Sequence, residues 1–119
     1  RKEESDLDLE LPDNAGDGPY LDQVRMGVAQ ALEASAPELA FFVAGADPFS
    51  GDRLGRLQVS KEALRARDRI VFEECRSASV PVAVVMGGGY APRIEDTVDI
   101  HFATVMAAAA FRKTPEAQI

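Results

Sequence analysis

Two aspartates, a tyrosine and a run of three glycines are the residues of this sequence whose types and spacing suit chemistry. Asp47 ends an apolar run and is followed by Pro48. A carboxylate at the last position of a buried strand is held rigidly at the rim of a crevice, which suits a metal ligand or a general base. The same residue before a proline also suits a turn, bonding the backbone two residues on. Spacing alone leaves both readings open. Asp52, between Gly51 and Arg53, reads as a turn-maker deeper in the same loop.

Gly87-Gly88-Gly89 permits positive φ and a close approach by a ligand or a neighbouring chain. A phosphate cradle is a weak reading, because the stretch has neither the Lys and Ser/Thr of a P-loop nor the full spacing of a dinucleotide fingerprint. Tyr90 follows directly. Its phenol, with an ordinary pKa of about 10, is a donor at neutral pH that can stabilise a developing oxyanion; the alternative is an aromatic wedge packed between strand and helix. Asp99-Ile100-His101 has the outward form of a metal-binding Asp-x-His. On a helix, residues two apart point about 200° away from each other, so this pair does not chelate one ion, and His101 reads as a packed or surface side chain. Cys75 reads as an inert buried thiol.

The elements that must position these residues follow from periodicity. Asp6 to Leu11 alternates with period two and suggests a short strand. After the turn formers Pro12 to Pro19, Leu21, Val24, Val28 and Leu32 have helical spacing, with Asp17 as the expected cap, Pro19 in the first turn and Pro37 beyond the end. Leu39 to Ala46 is an unbroken apolar run too short for an ordinary core helix, so it reads as a strand covered on both faces; Val82 to Met86 is a second. Between them, Ser60 opens a helix with Leu64, Val71, Phe72 and Cys75 on its inner stripe. Strand, crossover helix and strand make a βαβ unit with parallel strands. Pro92 marks the expected first position of a last helix, with Glu95 and Asp96 in its first turn and Phe111 near its end; Lys113 to Ile119 reads as a frayed tail. In open parallel sheets ligands bind outside the carboxyl ends of the strands. Both unusual loops, Gly45 to Gly55 and Gly87 to Tyr90, fall there.

Composition narrows the function classes. The 119 residues allow one domain. Lys and Arg number 13 against 20 Asp and Glu, a formal charge of -7. With no stripe of cations to neutralise phosphates, this is not the pattern of a nucleic-acid binder. The apolar runs fall far below the roughly 18 residues of a membrane helix, so no membrane partner is expected. A lone cysteine points to a reducing compartment, and a cytoplasmic location is the expectation. The opening Arg1-Lys2-Glu3-Glu4-Ser5, with neither a Met nor an apolar signal region, reads as the start of a piece cut from something longer or as a processed terminus.

Taken together, Gly45-Ala46-Asp47-Pro48-Phe49-Ser50-Gly51-Asp52-Arg53-Leu54-Gly55 and Gly87-Gly88-Gly89-Tyr90 resemble the zinc-dependent histone deacetylase superfamily. The lead-in Arg1 to Asp6 and the class of loop suggest a bacterial, class IV-like member. The resemblance runs over nearly the whole chain but corresponds to the C-terminal part of the family's catalytic domain. It implies an α/β, parallel-sheet, three-layer fold related to arginases, of which residues 1–119 are the C-terminal portion. It further implies zinc as cofactor, acetyl-lysine or an acetylated small amine as substrate, Asp47 as a zinc ligand and Tyr90 as donor to the acetyl carbonyl. Leu54 falls at the wall of the substrate tunnel, with Gly88 and Gly89 in the loop beside it. The family's tandem histidines and its metal-binding Asp-x-His belong upstream of this region. The expectation is therefore a piece inactive on its own, with a non-enzymatic α/β module that self-associates or binds a partner as the alternative.

Overall fold

The computed structural model describes residues 5–52 and 54–112, so the tail expected to fray at 113–119 lies outside the described residues. Along the chain run α1 (Asp17–Ser35), β1 (Ala40–Ala44), α2 (Lys61–Ser77), β2 (Val82–Met86) and α3 (Ile94–Phe111). The two strands pair in parallel, Ala40 opposite Val82 through Ala44 opposite Met86, with α2 as the connection between them. Among the described residues the chain is thus a mixed α/β protein with a parallel two-stranded sheet, consistent with a part of the α/β fold that the resemblance implies.

Helix α2 lies centrally, against β1 and between α1 and α3. Its inner stripe carries Leu64, Val71, Phe72 and Cys75, all buried. Val71 and Cys75 pack with Val80, with Val24, Val28 and Leu32 of α1, and with Ala40 and Phe42 of β1. Phe42 meets the edge of Phe72 at 5.9 Å, and Phe72 meets Phe111 at 5.6 Å, so one line of rings ties strand, middle helix and last helix. A second core of Tyr20, Ala46, Val59, Leu64 and Ile100 sits beneath the loop that follows β1.

Four expectations are corrected. First, β1 is covered on one face: Phe41 and Val43 are 71% and 64% exposed, because among the described residues nothing packs on the side opposite the helices. Second, Asp6 to Leu11 forms no strand. Its leucines do share a side, but they lie against α1, with Leu9 beside Gly27 and Leu11 on the core, and a strand needs a hydrogen-bonding neighbour that is not offered there. Third, Asp17 does not cap α1. It is the first helical residue behind Gly16, and its carboxylate accepts from the backbone N–H of Ser60 at 2.7 Å and from the Ser60 hydroxyl at 2.6 Å. That hydroxyl in turn accepts from Ala63 N–H at 3.0 Å and caps α2, as the sequence suggests. Fourth, α3 begins at Ile94 behind Arg93, later than Pro92, because the Asp96 N–H bonds to the Arg93 carbonyl and closes the first turn there.

A buried ion pair fixes the helices to the end of β1. Arg67 donates to Asp68 Oδ1 through Nε at 3.0 Å and Nη2 at 2.9 Å, and its Nη1 reaches the Gly45 carbonyl at 2.5 Å. Asp68 Oδ2 accepts from Thr104 of α3 at 2.5 Å. Burial disfavours the Arg67 charge, but Tyr20 and Asp68 more than offset it and hold its pKa up. Every charged oxygen and nitrogen of the pair that matters to the packing is thereby satisfied.

Candidate active site

The loop after β1 is built before its side chains are aimed. Beyond Ala44 the chain turns at Ala46 to Phe49, where the Phe49 N–H bonds to the Ala46 carbonyl. Asp47 and Pro48 occupy the middle of that turn, so Asp47 stands past the end of the strand, exposed, and not at its last position. Its carboxylate makes no hydrogen bond among the described residues, so the side-chain-to-backbone turn bond is not formed. The loop is then pinned to the buried Val59: Ser50 N–H bonds to the Val59 carbonyl at 2.8 Å, and Val59 N–H bonds to the Pro48 carbonyl at 3.1 Å.

Asp52 makes the turn the sequence assigns to it. Its Oδ1 accepts from Leu54 N–H and Gly55 N–H, each at 2.9 Å. Its Oδ2 does something the sequence did not suggest, accepting from the backbone N–H of Tyr90 at 2.6 Å. The loops after β1 and β2 are joined a second time by the Ala46 N–H to Gly88 carbonyl bond at 3.3 Å.

Gly88 lies where the two candidate side chains meet. A Cβ built on it would stand 3.3 Å from Asp47 Cγ and Oδ1 and 3.5 Å from Tyr90 Cε2, so the missing side chain lets the carboxylate and the phenol ring both come close to this backbone position. Gly89 has φ +143, a conformation that only glycine adopts without strain, and a Cβ there would press to 2.6 Å from Thr97. Tyr90 is 55% exposed, which is not the burial of an aromatic wedge, and its hydroxyl is unbonded among the described residues. Leu54 projects into solvent on the same loop, with its N–H held by Asp52.

A groove of about 740 Å³ reaches this place, running from Leu7 and Leu9 along α1 and β1 to Asp47 and Gly88. Tyr20 and Arg67 line its wall. Burial pushes the Tyr20 phenol above its ordinary pKa against the pull of Arg67, with the charges of Asp68 and Asp47 adding to the rise.

The other titratable candidates stay apart. Asp99 pairs with Lys61 at 3.0 Å, not with His101, and His101 Nδ1 is buried with no hydrogen-bond partner among the described residues. Burial raises the Cys75 thiol, as expected of an inert one. Among the described residues there is no group of three or more His, Cys, Asp or Glu able to hold a metal ion. No helix among them is long and apolar enough to cross a membrane.

The parallel α/β fold with paired loops at the carboxyl ends of its strands defines a class in which the strand-end crevice is the working site. Residues 1–105 match the model of the histone deacetylase domain. The chain is 43% identical over 101 residues to an uncharacterized protein of Picosynechococcus sp., covering 85% of this chain and 34% of that protein. To histone deacetylase 2 of Arabidopsis thaliana it is 34% identical over 77 residues, 61% of this chain and 20% of the relative. To histone deacetylase 6 of the same plant it is 34% identical over 87 residues, 73% of this chain and 18% of the relative. The chain belongs to the histone deacetylase family, and it spans about a third or less of the length of these relatives.

Proposed function

We propose that this chain is the C-terminal part of a zinc-dependent amidohydrolase that removes acetyl groups from acetyl-lysine or an acetylated small amine. The observation that carries the reading is that the Asp47 carboxylate and the Tyr90 ring both lie close to Gly88, at the strand ends. An exposed carboxylate with no hydrogen bond among the described residues suits one ligand of a zinc ion, and the chemistry asks for more than one: catalytic zinc takes three protein ligands. This reading assigns the remaining ligands, and the histidine that takes the proton, to the part of the family's domain that precedes the region matched here.

Zinc, when bound, supplies a Lewis acid that polarises the carbonyl and lowers the pKa of water. The Tyr90 hydroxyl donates a hydrogen bond to the acetyl oxygen as negative charge develops on it. The water oxygen bonds to the carbonyl carbon as the histidine takes its proton, the carbon–nitrogen bond breaks as that proton passes to the nitrogen, and an amine and acetate are the products. Leu54, exposed at the rim, supplies apolar wall to the acyl-amine stem.

The test is made in the full-length protein. Tyr90→Phe removes one hydroxyl and almost no volume, so kcat should fall by roughly 100- to 1000-fold with zinc content and thermal stability unchanged. Asp47→Ala should lose zinc along with activity. Wild-type turnover in Tyr90→Phe would remove the phenol from the chemistry. A second reading, in which the chain by itself is a self-associating module, is favoured by the bare face of the sheet at Phe41 and Val43.

A further inference from the structure

We propose that Asp52 is a positioning residue for the reaction, holding Tyr90 in register with the carboxylate of Asp47 while touching neither substrate nor metal. The inference rests on the role given to Tyr90 above. Asp52 is 9% exposed, and its carboxylate accepts from three backbone N–H groups, on Leu54, Gly55 and Tyr90. The first two come from one oxygen and complete the turn. The third needs another explanation, since Tyr90 is 38 residues away and adds nothing to a local turn.

The chain around Tyr90 shows what that bond supplies. Three glycines precede it, and no regular element resumes until Ile94. Side chains that lock a backbone by packing are missing where Tyr90 most needs them. A charge-assisted N–H···O⁻ bond at 2.6 Å, partly buried on the Asp52 side, is a strong local restraint on such a segment. One buried carboxylate thus fixes the rim residue Leu54 through Oδ1 and the phenol-bearing residue through Oδ2, and both are held to the loop that carries Asp47. Hydrogen-bond donors to an oxyanion act only if they are already in place when charge develops, and a displacement of about 1 Å costs on the order of 100-fold.

Asp52→Asn separates the two duties. The amide oxygen keeps the turn bonds to Leu54 and Gly55, and the NH2 group then faces the Tyr90 N–H, donor against donor. In the full-length protein, kcat should fall about 10- to 100-fold, with KM and zinc stoichiometry little changed. The discriminating variant is Asp52→Asn combined with Tyr90→Phe. If Asp52 works through the phenol, the double variant turns over like Tyr90→Phe alone, because the place of an absent hydroxyl no longer matters. A multiplied loss in the double variant, or loss of zinc in Asp52→Asn, assigns Asp52 a general structural role and overturns the proposal. Wild-type kcat in Asp52→Asn beside an impaired Tyr90→Phe overturns the proposal and leaves the role of Tyr90 standing; wild-type kcat in Tyr90→Phe overturns both. Hydrogen exchange on the unmodified protein requires no variant to fold: the Tyr90 amide should be protected to the same degree as those of Leu54 and Gly55. Exchange at the rate of a free loop amide would equally defeat the idea.

Discussion

At the level of single residues, the positions with no side chain decide whether those with side chains meet. Gly88 lets Asp47 and Tyr90 approach the same stretch of backbone, and Gly89 takes a backbone conformation strained for other residues while lying against Thr97. The glycine run was visible in the sequence, and so was the pairing of its permissive backbone with a close approach. What stayed hidden was the approaching group, which turned out to be the chain's own Asp47. Asp52 was legible as a turn residue for the same local reason, but its bond to Tyr90 spans too much sequence for turn chemistry to reveal. Gly89→Ala tests the local claim. The strained φ costs about 1–3 kcal/mol, and the new methyl group at 2.6 Å from Thr97 Cγ2 must push α3 or the loop aside. The full-length protein should lose stability by that order in a denaturant titration, and activity by more than stability explains. Wild-type stability in Gly89→Ala would show that the loop relaxes freely and does not hold Tyr90.

At the level of elements, what the sequence disclosed depended on whether the signal was periodic or relational. Val82–Met86 was readable to the residue, Leu39 to Ala46 shortened only at its ends, and the Ser60 cap and the α2 stripe were plain. Arg67 and Asp68 were legible and overlooked: they fill the stripe positions between Leu64 and Val71, where charged residues signal a buried, paired network. Asp17 was misassigned because a residue that suits an N-cap on α1 is equally able to hold the cap of another helix, here Ser60. The start of α2 also reaches α3, with Lys61 2.7 Å from Asp96 and 3.0 Å from Asp99. Donating to the Asp96 and Asp99 carboxylates raises the Lys61 pKa, and accepting from Lys61 lowers that of Asp96. For Asp96, a folded pKa below the unfolded one means stability that is present above about pH 4 and is lost as pH falls through the depressed value. For Lys61, the raised pKa means stability present below the ordinary lysine range and lost as pH rises through the elevated one. Lys61→Met should therefore lower Tm at pH 7, and the difference from wild type should shrink as the pH falls through the depressed Asp96 value and in high salt. A difference that persists unchanged in acid would show that the lysine stem, lying 5.7 Å from the Phe49 ring, matters and the charge does not.

At the level of the whole molecule, the apolar surface is larger than these three helices can cover. Phe41, Val43 and Val85 stand on the open face of a two-stranded sheet, and Val98, Phe102, Val105 and Met106 form an exposed stripe on α3. The sequence had said that Leu39 to Ala46 is buried on both faces, and the run is indeed the composition of an interior strand in a wide parallel sheet. The residues describe a neighbourhood larger than the one present, in keeping with a chain that spans about a third or less of its relatives. Two strands with both outer edges unpaired are marginal in water, and open edges with an apolar face favour pairing between copies. The 119-residue chain taken alone should therefore self-associate and bind a hydrophobic dye. Phe41→Lys with Val43→Lys should weaken both effects without unfolding the helices, since neither side chain faces them. Sedimentation as a monomer over a broad concentration range, with no dye signal, would mean that the bare face is tolerated as it stands. The second reading of function would then lose its support, while the proposed role of Asp47 and Tyr90 in the full-length protein would be untouched.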